Sequence, residues 1–169
     1  MIELPEDALV IGLGGNVGGE PVVRERFVRA RDALAQLGDV KSAPLYRSAP
    51  IGPVQPAFLN TAIRVRYEAG TPGELIATVL EIERLLGRQR AREARNGPRP
   101  IDLDILLWGT RELRTPELEV PHPRLVERRF ALQPIVDLFG DELRLAGSTA
   151  GALLRRTSGQ AVELVAATW

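Results

Sequence analysis

The chain has 169 residues, with 22 Lys+Arg against 22 Asp+Glu, one His and no Cys, the size of one domain able to build a core without disulfide or metal staples. Zinc fingers, Cys/His proteases, haem and iron–sulfur sites are excluded, because each needs several thiolate or imidazole donors at once. A net charge of zero argues against a whole-surface binder of nucleic acid, so any contact to phosphate has to be local.

The start, MIELPEDALVIGLGG, places acids ahead of a short apolar run, the reverse of a signal peptide. No apolar stretch approaches the ~20 residues that span a bilayer, so a cytoplasmic protein without membrane contact is expected. Residues 8–14 predict a strand closing in GGNVGG, a tight turn in which Asn16 and the glycines supply unusual backbone angles and close approach. In residues 20–37, Val23, Phe27, Ala30, Leu34 and Leu37 recur at helical spacing until Gly38 and Asp39 stop the helix. Residues 40–47 predict a second strand, SAPIGPVQP a loop broken by its three prolines, and residues 59–67 a half-buried strand that pairs with the second.

Thr71 caps the next helix, with Pro72 at its first position and Glu74 at its third. Its apolar stripe of Leu75, Ile76, Val79, Leu80, Ile82 and Leu86 runs to Gly87. After an arginine-rich loop, residues 101–108 predict a strand, and helices are expected at 127–138 and 149–157. The order βαββαβ is the split βαβ, ferredoxin-like pattern. The expected fold is an α+β sandwich with an antiparallel sheet, helices on one face and C-terminal additions, residues 1–169 forming a single domain.

In IDLDILLW, Asp102 and Asp104 sit two apart, so both project from one face of the strand while Ile101, Leu103 and Ile105 take the other. Two carboxylates whose Cα atoms are ~6.6 Å apart can converge on hard cations for phosphoryl transfer. Taken alone, the pair reads more readily as two solvated acids. The preceding GRQRAREARNGPRP carries Arg88, Arg90, Arg92, Arg95 and Arg99. It fits either a clamp of guanidinium groups on phosphate oxygens or a solvated loop balanced by Glu83 and Glu93. Only Lys41 among the basic residues is a lysine, so arginine counts alone carry little. GLGGNVGG has neither the GxGxxG spacing nor GK[ST], which excludes the two common phosphate cradles. His122 between two prolines, and Arg128 and Phe130 in ERRF, fit packing or helix-start positions equally well. Phe58 fits a core, and beside Asn60 it also fits a site for a flat heterocycle held by stacking and edge hydrogen bonds.

In order and spacing, these blocks resemble one family, the 6-hydroxymethyl-7,8-dihydropterin pyrophosphokinases, from about Val10 to Leu138. The most specific stretch is NGPRPIDLDILLWG followed by VPHPRLVERRFAL, with IGLGGNVG, YRSAPIGPVQPAFLN and EIERLLGRQR in matching order. The resemblance implies an enzyme of folate biosynthesis that transfers the pyrophosphoryl group of ATP to the hydroxymethyl of the dihydropterin and releases AMP. It implies Asp102 and Asp104 as ligands of two Mg²⁺ ions and Arg88 and Arg99 as the catalytic loop arginines on the triphosphate. Arg90 supports them, and Glu83, Ile105, His122 and Arg128 lie on the ATP side.

On the pterin side it implies Ser48, Ala49 and Ile51, Asn60 reading the ring edge, Phe58 and Phe130 bracketing the ring, and Asp102 beside the hydroxyl. A metal-bound hydroxyl loses its proton more easily, and Asp102 is the nearest candidate to receive it. The expected partners are these two small substrates, with no nucleic acid and no membrane, and the chain acting as a monomer. Asn96 departs from the aromatic residue that many family members carry there, so loop closure is expected to be weaker or to use other contacts; the roles of Arg92 and Arg95 stay open. Residues 49–56 and 87–100 are the expected lids. The alternative is a non-catalytic ferredoxin-like module that binds a nucleotide, while an RNA-binding sheet is disfavoured by acids on its strand.

Overall fold

The computed structural model describes residues 1–169. The chain runs β1 (Ala8–Gly15), α1 (Glu20–Leu34), β2 (Val40–Ser42), β3 (Leu45–Ser48), β4 (Phe58–Arg66), α2 (Pro72–Leu85) and β5 (Asp102–Trp108). There follow β6 (Leu113–Arg114), β7 (Glu119–Val120), α3 (Arg129–Phe139), β8 (Arg144–Leu145), β9 (Ser148–Thr149), α4 (Ala150–Arg156) and β10 (Val162–Ala166). The main sheet has the order β10-β3-β4-β1-β5, with β2 also on β4, and all its pairings are antiparallel. The four strands β3-β4-β1-β5 reproduce the ferredoxin-like arrangement expected from the sequence. No helix is long and apolar enough to cross a membrane.

Both faces of the sheet are covered, and β1 shows why the site lies where it does. Leu9, Ile11 and Leu13 point to one face, where they meet Phe27 and Leu34 of α1 and Leu75 and Val79 of α2. Ala8 and Val10 point to the other, under Leu132 and Ile135 of α3 and Leu153 of α4. The next two positions on that second face are Gly12 and Gly14. Period-2 alternation thus continues while the side chains stop, and the layer covering the first half of β1 becomes a cleft over its second half. A bulge in β5, where Val10 opposes Leu107 and Ile11 opposes Ile105, leaves Leu106 extra, so Leu106 and Leu107 both join the second cluster.

α2 forms as its cap predicts. The Thr71 hydroxyl accepts from the Glu74 N–H at 3.2 Å, and the Glu74 carboxylate accepts from the Thr71 N–H at 2.9 Å. Three expectations need correction. α1 ends at Leu34, one turn short of Leu37, with Ala35 capping it through a bond to the Arg31 carbonyl. The strand expected at 40–47 is two strands, because Pro44 has no N–H for the ladder; the Thr61 hydroxyl takes up the bend, donating to the carbonyls of Ala43 and Pro44. Asn16 has no left-handed backbone; Gly18 and Gly19 supply the positive φ of that turn. The hairpins β6–β7 and β8–β9 and the edge strand β10 were not foreseen.

Candidate functional site

Asp102 and Asp104 leave β5 on the face that holds the cleft, opposite Gly14 and Gly12 of β1. Without side chains on those glycines the two carboxylates face open space. A Cβ at Gly14 would stand 3.4 Å from the Asn60 amide nitrogen, narrowing that space. Ser48, Ala49 and Ile51 at the end of β3, Phe58 and Asn60 on β4, Asn96 and Arg99 on the arginine loop, and His122, Leu125, Arg128 and Phe130 complete the walls. The Ser48 hydroxyl donates to Asn60 Oδ1, which leaves the amide Nδ2 as the free end. The Phe58 ring lies 5.8 Å from the Arg99 guanidinium, and the Phe130 ring 5.6 Å from that of Arg128.

The two acids have different surroundings. Arg88 Nη1 donates to Asp102 at 2.6 Å, Arg99 Nη1 at 3.2 Å, and Arg90 lies at 3.8 Å. All of the ion pairs to the acidic pair fall on Asp102. Asp104 is pushed up to about 7, first by burial and then by the Asp102 charge, with Arg128 and Arg90 pulling the other way. Behind them Glu83 is 1% exposed and accepts from the Leu103 N–H at 2.7 Å and from Arg90 and Arg88. Burial raises its pKa against those bonds. Arg88 also bonds to Glu93 and to the Ile101 carbonyl, so its side chain crosses the base of the loop.

Two more polar groups face the cleft. Arg128 has a buried Nε with no hydrogen-bond partner, and burial, with Arg124 nearby, lowers its pKa. Burial and Arg128 lower the pKa of His122; its Nδ1 accepts from the Arg124 N–H at 3.2 Å, so in the neutral ring the proton is on Nε2.

No group of three or more His, Cys, Asp or Glu side chains converges as a self-sufficient metal site. Mg²⁺ is commonly held by one or two carboxylates, with waters and substrate phosphates completing the shell. Two hard oxygen donors on one strand, one of them buried without a cationic partner, fit that kind of ion.

Not every residue that the sequence points to lies in the cleft. Glu83 and Arg88 sit behind it, and Arg90 and Ile105 line a second groove with Ile76, Val79, Leu80, Pro116 and Leu118. Asp104 and His122 line both spaces, so two ligands could meet at the acidic pair. The apolar patch of this groove was missed from the sequence, where Ile76 and Leu80 read as core stripe; Leu80 is in fact 44% exposed.

Asn16 was also missed. Its Nδ2 donates to Gln55 Oε1 and the Pro56 carbonyl, both at 2.9 Å, and its Oδ1 accepts from the Arg99 N–H at 2.9 Å. One side chain thereby ties the end of β1 to both expected lids. The lids also touch each other, since Gln55 Nε2 donates to the Asn96 carbonyl at 2.7 Å. Asn96 has a φ of 56°, a conformation its short polar side chain tolerates, and its hydrogen bond to the other loop is through the backbone.

Residues 10–140 match the family model described as 7,8-dihydro-6-hydroxymethylpterin-pyrophosphokinase (HPPK). The chain is 41% identical over 139 residues to a 2-amino-4-hydroxy-6-hydroxymethyldihydropteridine pyrophosphokinase of Pseudomonas aeruginosa, covering 80% of this chain and 82% of that protein. It is 40% identical over 142 residues to the mitochondrial folate synthesis bifunctional protein of Pisum sativum, covering 82% of this chain. The chain spans about a quarter of the length of that pea protein. In fold it is similar to the HPPK-DHPS of Plasmodium falciparum in its structure with pteroate, with a TM-score of 0.69 at 14% identity, covering 94% of this chain and 44% of that one. The chain belongs to the 7,8-dihydro-6-hydroxymethylpterin-pyrophosphokinase family.

Proposed function

We propose that this chain transfers the pyrophosphoryl group of ATP to 6-hydroxymethyl-7,8-dihydropterin, giving the pterin diphosphate and AMP, as a step of folate synthesis. The observation that carries the reading is that Asp104 and His122 line both the aromatic cleft and the neighbouring groove. Two substrates can therefore meet where the acids and arginines converge. The dihydropterin belongs in the cleft, its edge on the free amide of Asn60 and its ring between Phe58 and Phe130, beside Ser48, Ala49 and Ile51. The adenine belongs against Ile76, Val79, Leu80 and Leu118, with its phosphates leading past Arg90, His122 and Arg128 towards Arg88 and Arg99.

Asp102 and Asp104 are the residues to hold Mg²⁺, and we take the number of ions as two. Bound there, Mg²⁺ neutralises phosphate charge and acidifies the substrate hydroxyl. In the reaction the hydroxymethyl oxygen bonds to the β-phosphorus, the bridge between the α- and β-phosphates breaks, and AMP leaves with the bridging oxygen. The hydroxyl proton passes to Asp102, the acid placed next to the pterin wall. Arg88, Arg99 and Arg90 counter charge on the departing phosphates, so the chain's main work is alignment and charge neutralisation. We take the chain to act as a monomer. The two apolar clusters share one sheet, which supports taking residues 1–169 as a single catalytic domain. We place the protein in the cytoplasm.

The test is nucleotide product analysis with ATP, Mg²⁺ and 6-hydroxymethyl-7,8-dihydropterin, with Asp104→Ala as control. The expected result is pterin-dependent AMP that disappears in the control. ADP as product would indicate another kinase activity, and ATP binding without turnover would indicate a nucleotide-binding module; either overturns the proposal.

A further inference from the structure

Residues 162–169 lie beyond the stretch that matches the family, and they pack against the strand that leads into the cleft. β10 sets Val162 opposite Ser48, Glu163 opposite Arg47 and Leu164 opposite Tyr46. β3 has four residues, meets β4 at three of them, and runs directly into Ala49 and the proline-rich loop. So short a strand with one partner is weakly held; β10 gives it a second.

Side chains secure the same joint. Arg47 bonds to Glu20 at the start of α1 at 2.8 Å and to Glu163 of β10 at 3.0 Å. The Trp169 ring stands edge-on to Phe27 with centroids 6.1 Å apart, and the Arg31 guanidinium lies 4.7 Å from its centre. Its indole N–H donates at 2.8 Å to the Ala43 carbonyl, which also accepts the Thr61 hydroxyl at 3.1 Å. The C-terminal segment thus grips β3 at both ends, at the corner that begins it and at Ser48 where it opens into the cleft.

We propose that residues 162–169 are a positioning strap for the pterin wall, with Trp169 and Glu163 as its fastenings. They hold β3, and through it the Ser48–Asn60 bond and the start of the 49–56 loop, in the arrangement that receives a flat heterocycle. A wall ordered in advance spares the ligand the cost of ordering it, so loosening the strap shows as lost pterin affinity. None of the residues lining the nucleotide groove lies on β3, β4 or β10; the effect is therefore selective. This inference rests on the pterin reading of the cleft.

Trp169→Phe keeps a ring against Phe27 and removes the N–H bond to Ala43; Glu163→Gln removes the charge that meets Arg47. Each folded variant is titrated calorimetrically with 6-hydroxymethyl-7,8-dihydropterin in the presence of a saturating non-hydrolysable Mg–ATP analogue and, separately, with Mg–ATP, and its kcat is measured at saturation. Trp169→Phe is expected to raise the pterin Kd about three- to tenfold, the scale of one lost hydrogen bond. The Mg–ATP Kd stays within about twofold and kcat is retained. Glu163→Gln moves the pterin Kd in the same direction by less, since its bond is exposed. Unchanged pterin affinity, or equal weakening of both ligands, overturns the strap. Wild-type protein that binds Mg–ATP but no pterin overturns the pterin reading itself, and the strap with it.

Discussion

Replacing Asp104 by Asn should make the metal-free protein more stable at alkaline pH and not at acidic pH. In the folded chain Asp104 titrates at about 7 against an ordinary 3.8, so between those values the folded state binds a proton that the unfolded state has released. Stability then falls as pH rises through the window, and above 7 the whole cost of an ionised Asp104 is present. Three pH units at ~1.4 kcal/mol each give a ceiling of roughly 4 kcal/mol. Asp104 lines two open spaces, and solvent screening reduces the expected figure to ~2 kcal/mol. Asn has nearly the same shape and no charge to desolvate.

For a domain of this size ~2 kcal/mol corresponds to a Tm about 4–8 °C higher. The assay is calorimetric melting of both proteins in EDTA at pH 4.5, 6 and 8. The gap should be smallest at pH 4.5, roughly a quarter of its full size because that pH lies just above the ordinary 3.8, and largest at pH 8. With Mg–ATP added at pH 8, wild type should gain stability by mass action and the variant should gain less. A gap that does not change with pH, or a variant that is the less stable of the two at pH 8, would show that Asp104 is not held against its own charge.

Two further substitutions separate loop order from helix stability. Asn16→Ala removes the three bonds that join β1 to both loops, so hydrogen exchange in residues 49–56 and 87–100 should quicken while the helices keep their protection; unchanged loop protection would mean the loops hold without it. Thr71→Ala removes the cap of α2 and should lower the urea midpoint by the equivalent of ~1 kcal/mol with an unchanged slope, leaving ATP and pterin affinities as they were; a change in either affinity would contradict the cap's placement outside both spaces.

What could be read from the sequence was whatever repeats at short range. The alternation around Asp102 and Asp104 correctly placed both acids on one face and Ile101, Leu103 and Ile105 on the other, because the period of a strand needs no knowledge of its neighbours. Thr71, Pro72 and Glu74 announced α2 for the same reason. The role of Asn16 could not be read this way. Its partners are 39, 40 and 83 residues away, and inside GGNVGG it looks like one more turn residue. β10 was overlooked because VELVA has no clean alternation and becomes a strand only where β3 offers an edge. The groove beside α2 was hidden in plain periodicity: Leu80 lies on the apolar stripe, and only the tertiary structure leaves it open.

The acidic pair shows how far residue type falls short of role. Asp102 and Asp104 share a strand and a face, and each has a glycine opposite it across the ladder, yet one is bonded to two guanidinium groups and the other to none. Environment sets such carboxylates apart. Asp102 is countered by the arginines proposed for the phosphates, so in the free chain the loop arginines and this acid neutralise one another, and neither is buried unpaired. Asp104 has no ion pair, and the more distant charges of Arg128 and Arg90 offset its burial only in part. The strain therefore sits on the residue that both ligand spaces touch, where an arriving cation can remove it, and the rest of the network stays satisfied while the site waits.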